Sequence, residues 1–67
     1  MARRRNIGTR IAELRAKRGM TQEALAARAR LNRASLANIE RGAKQPKLDT
    51  LGRLAKALGV NLTTLLR

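Results

Sequence analysis

Apolar residues recur along this chain at spacings of three and four, the period of an amphipathic helix. No stretch alternates apolar and polar residues as a half-buried strand does. The pattern predicts five helices, over about 7–18, 22–29, 33–41, 48–58 and 62–66. The apolar residues expected to pack inward are Ile7, Ile11, Leu14, Leu25, Ala26, Ala29, Leu36, Ile39, Leu48, Leu51, Leu54, Ala55 and Leu58. The fifth segment is apolar at Val60, Leu62, Leu65 and Leu66. The fold class is therefore expected to be all-α.

The ends of these segments carry local start and stop signals. Glycines follow three of the segments, where a helix commonly ends in a left-handed residue: Gly19, Gly42 and Gly59. Thr21 and Asn61 stand at the N-cap positions of the second and fifth helices. Pro46 prevents the third helix from running on into the fourth, whereas Gly8 weakens the first turn of the first helix.

Composition restricts the chemistry that the chain can perform. With 67 residues there is room for one small domain. The chain has no cysteine and no histidine, so we expect no disulfide, no metal site and no cofactor. Ser35 is the only serine and no nucleophile–base pair is evident, so an enzyme is not expected. The lack of aromatic residues disfavours single-stranded RNA or DNA, whose bases stack on such side chains.

The charge balance points to a polyanionic partner. Sixteen Lys and Arg face four acids, a net charge of +12 with an isoelectric point near 12.0. Such an excess of one sign on so short a chain is typical of nucleic-acid binding. No apolar run approaches the ~20 residues of a membrane span, and no secretory apolar segment follows Arg3–Arg5. The protein is therefore expected to be soluble and cytoplasmic.

Several segments between Met20 and Leu66 are distinctive in their residues and in their spacing. They read MTQEALA, SLANIERG, a proline loop and LDTLGRLAKALGVNLTTLL. In them the chain resembles the helix-turn-helix domain of the phage repressor and Cro family, the XRE-type domain, and IAELRAKRGMTQ extends the resemblance more loosely over helix 1. The resemblance implies a compact, lambda-repressor-like five-helix bundle in which helix 3 enters the major groove and helix 2 crosses the backbone. Residues 7–67 would form this domain, behind a flexible basic arm of residues 1–6.

The resemblance also implies roles for individual residues. Base edges or neighbouring phosphates would be met by Asn32, Arg33, Ala34 and Asn38. Gln22, at the start of helix 2, corresponds to a phosphate-anchoring glutamine; the alternative is that it is only a good helix former. Arg15 and Glu40 correspond to a salt bridge between helices 1 and 3, unless Glu40 is an ordinary exposed acid.

The residues themselves support parts of this assignment. Arg33 stands at the tip of helix 3, where its guanidinium can reach O6 and N7 of a guanine. Asn38 is rotated by about 140° from Arg33 around the helix, which favours a phosphate or groove-edge contact. The loop after helix 3 is expected to meet phosphates through Arg41, Lys44, Gln45 and Lys47. Arg28 and Arg30 are either solvated or directed at phosphates.

The chain departs from the family pattern in two places. Arg30 occupies the turn between helices 2 and 3, where the family usually has glycine, so the turn is either mildly strained or different. Thr63 and Thr64 stand where acids are common, and this raises the net positive charge and favours nonspecific DNA binding.

These features predict sequence-specific binding of double-stranded DNA by a transcriptional regulator, most simply a repressor. We expect a homodimer on a pseudo-palindromic operator with half-sites about one helical turn apart, ~10 bp. The dimer surface would come from the helix 3–4 loop, helix 5 and the C-terminus, with one of Leu62, Leu65 and Leu66 exposed for association.

Four alternatives stay open at this point. In the first alternative, the chain is the DNA-binding module of a longer regulator. In the second, it is an antitoxin that also masks a toxin, although no toxin-binding segment is visible. A membrane-surface role for basic helices is disfavoured by the glycine-punctuated pattern. Arg3–Arg5 form either a disordered solubilising tail or an arm that follows the DNA backbone or a narrow minor groove.

Overall fold

The computed structural model describes residues 7–67, and the predicted basic arm, with Arg3–Arg5, lies outside this range. Five helices follow one another: α1 Ile7–Lys17, α2 Gln22–Ala29, α3 Arg33–Glu40, α4 Leu48–Leu58 and α5 Leu62–Leu66. The predicted order and class are confirmed, but α1 and α3 each end one residue earlier than predicted. Within residues 7–67 no helix combines the length and apolarity that crossing a membrane requires.

The helix starts depend on short polar side chains. Thr21 Oγ1 accepts a hydrogen bond from Ala24 N at 3.0 Å at the start of α2, as predicted. Asn32 Oδ1 does the same for α3, accepting from Ser35 N at 2.7 Å. Asn61 is the N-cap residue of α5, as predicted, but its side chain makes no capping bond. There the Asn61 carbonyl accepts from Thr64 N at 3.0 Å instead, which tightens the first turn of a five-residue helix.

The turn between α2 and α3 keeps the glycine-type geometry without a glycine. Arg30 has φ 61° and ψ 43°, the left-handed conformation. Its N–H donates to the Ala27 carbonyl at 3.2 Å, and Leu31 N donates to the Ala26 carbonyl at 2.8 Å. This pair of bonds is the Schellman motif that closes helix ends. The turn is therefore strained rather than rebuilt, since a non-glycine residue in this region costs about 1–2 kcal/mol.

One aliphatic core joins all five helices. Its buried members are Ile11, Leu25, Ala26, Ala29, Leu36, Ile39, Leu51, Leu54, Ala55, Leu58 and Leu65. α4 packs on α2 and α5, while α1 packs on α3. The prediction that Leu48 packs inward is wrong, because its side chain is 67% exposed. Leu48 is the first residue of α4, and its side chain lies mostly in solvent.

Gly8 allows a close approach of α1 to α3, although glycine has a low helix propensity. A Cβ atom at this position would lie 2.7 Å from the Glu40 carbonyl oxygen and also against the carbonyl oxygen of Ile39. α1 therefore touches the last turn of α3 backbone to backbone, which only glycine permits. At the other side of α1, Arg10 Nε donates to the Thr64 carbonyl at 3.0 Å and joins the helix to α5.

Candidate nucleic-acid interface

The start of α3 projects from the core with its polar residues outward. Leu36 and Ile39 are buried on one side of this eight-residue helix. Arg33 and Ala34, in its first turn, are exposed. Asn32 is exposed as well, but its Oδ1 is occupied by the capping bond. A ligand at this helix end would therefore meet the Arg33 guanidinium, the Ala34 methyl group and the Asn32 Nδ2 donor.

A partly buried polar cluster holds α3 in position. Arg15 Nε donates to Glu40 Oε2 at 2.8 Å, and Nη2 donates to Oε1 at 3.2 Å, a bidentate pair. The side chains are only 20% and 7% exposed, so the reading of Glu40 as an exposed acid does not describe this geometry. Arg15 Nη1 also donates to the Met20 carbonyl at 2.8 Å. The cluster thus connects α1, the α1–α2 turn and the last residue of α3.

Gln22 belongs to the same cluster. Its Nε2 donates to Glu40 Oε1 at 2.9 Å, a bond that the sequence did not indicate. An amide nitrogen carries two hydrogens, so one remains for a ligand. Gln22 lies at the start of α2, where backbone N–H groups attract anions. The bond to Glu40 therefore orients Gln22 without using up its capacity as a donor.

The far end of α3 leads into an ordered basic loop, residues 41–47. The Asn38 carbonyl accepts from Ala43 N at 2.9 Å and Lys44 N at 3.2 Å, which fixes the chain after the helix. The side chain of Asn38 is also engaged, since its Oδ1 accepts from Arg41 Nη2 at 2.8 Å. All four loop residues predicted to meet phosphates are exposed: Arg41, Lys44, Gln45 and Lys47.

The predicted residues therefore form two groups at opposite ends of α3, about 12 Å apart along its axis. From residue 30 to residue 48 the sole acid is Glu40, which is paired inward with Arg15. Five cations lie in the same segment: Arg30, Arg33, Arg41, Lys44 and Lys47. A helix of ~10–12 Å diameter matches the width of the DNA major groove, ~12 Å. These dimensions allow the start of α3 to enter such a groove with the basic loop beside it.

Asn32 and Gln22 show what sequence reasoning missed. The capping role of Asn32 had a local signal, because asparagine just before a helix is among the preferred N-caps. The bond from Gln22 to Glu40 had no local sequence signal, because 18 residues separate the two in the chain.

Comparison with known proteins agrees with this geometry. The family model described as Helix-turn-helix matches residues 11–65. An uncharacterised HTH-type transcriptional regulator of Sinorhizobium fredii, y4dJ, is 41% identical over 61 residues, which are 91% of this chain and 79% of that protein.

Solved structures of similar proteins superpose closely. The restriction-modification controller protein C.AhdI from Aeromonas hydrophila has a TM-score of 0.87 at 36% identity, covering 88% of this chain and 89% of that chain. The P22 c2 repressor in complex with a synthetic operator has a TM-score of 0.85 at 27% identity, covering 92% of this chain and 94% of that chain.

Proposed function

Because this chain belongs to the helix-turn-helix family of DNA-binding transcriptional regulators, we propose that it represses transcription as a two-fold dimer on a pseudo-palindromic operator. The observation that carries the proposal is the exposed start of α3, backed by buried Leu36 and Ile39 and by the Arg15–Glu40 pair. A helix held this rigidly can place the same donors against the same base pairs each time it binds. The similar P22 c2 repressor, solved with a synthetic operator, supports duplex DNA as the ligand.

Base reading is assigned to the first turn of α3. Arg33 is long, exposed and free of side-chain hydrogen bonds to the described residues, so its guanidinium is available to O6 and N7 of a guanine. Ala34 offers a methyl group to a thymine methyl. Asn32 and Asn38 each have their Oδ1 occupied. Both amides therefore act as donors, to base acceptors or to phosphate oxygens.

Phosphate contacts are assigned to both ends of the interface. Gln22 retains one Nε2 hydrogen beyond its bond to Glu40, and the start of α2 adds backbone donors. The loop after α3 offers Arg41, Lys44, Gln45 and Lys47 as well. These contacts position the protein and supply salt-dependent affinity, whereas α3 supplies the preference for sequence.

The dimer is supported by two exposed leucines. Leu48 is 67% exposed at the end of the helix 3–4 loop, and Leu66 is 54% exposed at the end of α5. Leu66 lies in a segment predicted to form the dimer surface, whereas Leu48 directly follows the helix 3–4 loop. Exposed apolar side chains favour association. A regulator of bacterial or phage genes works where the genome is, so we place the protein in the cytoplasm.

Selection of bound sites from a pool of random duplex DNA tests this proposal. We expect one recurrent site with two inverted halves whose centres are about one helical turn apart, ~10 bp. A single unrepeated half-site would contradict the dimer but retain the reading role of α3. A well-folded protein that enriches no sequence at moderate salt would contradict sequence-specific binding and leave only the attraction of a polycation for DNA.

A further inference from the structure

A second positively charged surface lies apart from the loop after α3. It is a cleft of about 500 Å³ between the C-terminal part of α2 and α4. Four cations and one alanine line it, and this set is called the cation cleft below: Arg28, Arg30, Arg53, Lys56 and Ala57. No described acid is part of the lining. Arg53 forms a long ion pair with Asp49, whose carboxylate is 83% exposed and lies 3.8 Å from Arg53 Nε.

Only two of these four cations lie where the helix dipole favours a positive charge. Arg28 and Lys56 stand in the last turns of α2 and α4, where helix carbonyls favour a cation. Arg53 is in the middle of α4, and Arg30 lies past the end of α2. Gathering four cations around one cleft raises their mutual repulsion. An anion in the cleft would relieve this repulsion.

Arg53 also carries an unsatisfied donor. Its Nε is buried and has no hydrogen-bond partner. The carboxylate of Asp49, at 3.8 Å, is too distant to accept a hydrogen bond. Buried donors in folded proteins nearly always have a partner. The side chain of Arg53 as a whole is 37% exposed, so an anion in the cleft would meet its terminal guanidinium nitrogens rather than Nε.

Arg30 gives an independent indication. It holds a left-handed conformation that glycine would adopt without strain. A long basic side chain at such a position is explained if the side chain itself has a function. Its guanidinium, like those of Arg28 and Arg53, has the planar donor geometry that binds phosphate in a bidentate manner.

We propose that the cation cleft binds backbone phosphates of the duplex just outside the base pairs read by α3. The assignment rests on the proposed function. Arg30 precedes the N-cap residue Asn32 by two positions, and two residues span at most about 7 Å. When the start of α3 lies against bases, the side chain of Arg30 is within reach of the adjoining backbone. Such contacts extend the footprint and raise affinity without adding sequence preference.

The test compares two duplexes that carry the same selected site. One ends at the recognised base pairs, and the other continues by about one helical turn, ~10 bp, on each side. Arg28→Ala, Arg30→Gly and Lys56→Ala should each weaken binding to the extended duplex and lower its salt slope by about one unit. Binding to the short duplex should stay at the wild-type level. Lys17→Ala, which removes an exposed cation outside the cleft, is the charge-matched control.

Arg30→Gly separates a binding role from a structural one. The substitution relieves the left-handed backbone, so the melting temperature should rise while affinity for the extended duplex falls. If the three variants bind both duplexes as Lys17→Ala does, the cleft assignment is overturned and α3 keeps its role. If the variants match the control on DNA but lose binding of a polyglutamate peptide, the occupant is an acidic protein segment and the DNA assignment is overturned. A wild-type protein that binds selected and scrambled duplexes equally would instead remove the proposed function, and the cleft assignment with it.

Discussion

Arg33 is the residue on which sequence preference should depend most. Its side chain is exposed at the tip of α3, and a bidentate contact to guanine contributes about 1–3 kcal/mol of discrimination. Arg33→Ala should therefore lose that much affinity for the selected site and little for a scrambled duplex. Fluorescence anisotropy with both duplexes measures the two affinities, with Arg18→Ala as an exposed arginine control outside α3. Equal losses on both duplexes would make Arg33 a phosphate contact.

Arg30 limits stability through its backbone. The left-handed conformation costs about 1–2 kcal/mol for a non-glycine residue. Glycine would remove this strain, although its greater freedom in the unfolded chain offsets about 0.4–1 kcal/mol. Arg30→Gly should thus stabilise the fold by about 0.5–1 kcal/mol and raise the melting temperature by a few degrees.

Arg28→Gly is the matched control for this prediction. It removes the same charge two residues earlier, but inside α2, where glycine costs about 1 kcal/mol. Thermal melts followed by circular dichroism should therefore move in opposite directions for the two variants. A lower melting temperature for both would mean that the turn is not strained at Arg30.

At the scale of the elements, α1 and α3 meet through Gly8. A methyl group there would press on the Ile39 and Glu40 carbonyls, which are backbone atoms that cannot turn aside. Gly8→Ala should destabilise the fold by about 1–3 kcal/mol, the usual cost of overpacking. Gly52→Ala is the counterpart, because Gly52 lies within α4 and nothing stands within 4 Å of its added Cβ. The free energy of unfolding of Gly52→Ala, measured in urea, should rise by about 0.5–1 kcal/mol. A similar loss of stability in Gly8→Ala and Gly52→Ala would contradict the close approach of α1 and α3.

The Arg15–Glu40 pair connects the same two helices through side chains. Removing one partner of a buried pair leaves an unpaired charge, so Glu40→Ala should cost about 3 kcal/mol. The double variant with Arg15→Met removes the second charge as well and should recover part of this loss. Denaturant unfolding of the three proteins measures the coupling between the residues. An unchanged stability for Glu40→Ala would show that the pair contributes nothing.

The helices were predictable because each is marked locally. Apolar spacing marks the faces, Thr21 marks a start, and glycines mark three ends, so the bounds agree to within one residue. What the sequence lacks is the position of one element against another. Leu48 shares the apolar spacing of Leu51, yet no local pattern indicates that the side chain of Leu48 is exposed while that of Leu51 is buried. Gly8 likewise reads as a weak helix residue, because no local pattern reports that the backbone of α3 passes beside it.

The candidate site likewise combines features that local sequence predicts with features that depend on how the helices pack. The exposed start of α3 and the basic loop follow from local sequence, and the pairing of Arg15 with Glu40 came only through resemblance to the family. The bond from Gln22 to the same carboxylate depends on how α2 packs beside α3. The cation cleft is similar, since Arg28 and Arg53 come together only when α2 packs on α4. Residues that act from two helices at once require the tertiary structure.

For the whole molecule, the proposed dimer requires a surface that holds two α3 helices on one operator. Leu65 and Leu66 are adjacent in α5, but Leu65 is 2% exposed and Leu66 is 54% exposed. Leu66→Lys should therefore keep the fold, while burying a charge at a two-fold interface should shift the protein to monomer at micromolar concentration. Leu65→Ala should instead lower stability by about 2–5 kcal/mol, because it empties part of the core.

Sedimentation velocity and binding to full and half operators distinguish loss of the dimer from loss of core stability. A monomeric Leu66→Lys protein should lose most of its advantage on the full site while binding a half-site as the wild type does, because each α3 is intact. This follows from the two-fold relation between protein and operator, in which the second half-site adds affinity only if the second copy is held at the matching spacing. A dimer that survives Leu66→Lys would exclude the end of α5 from the interface and leave Leu48, at the start of α4, as the exposed leucine to substitute next.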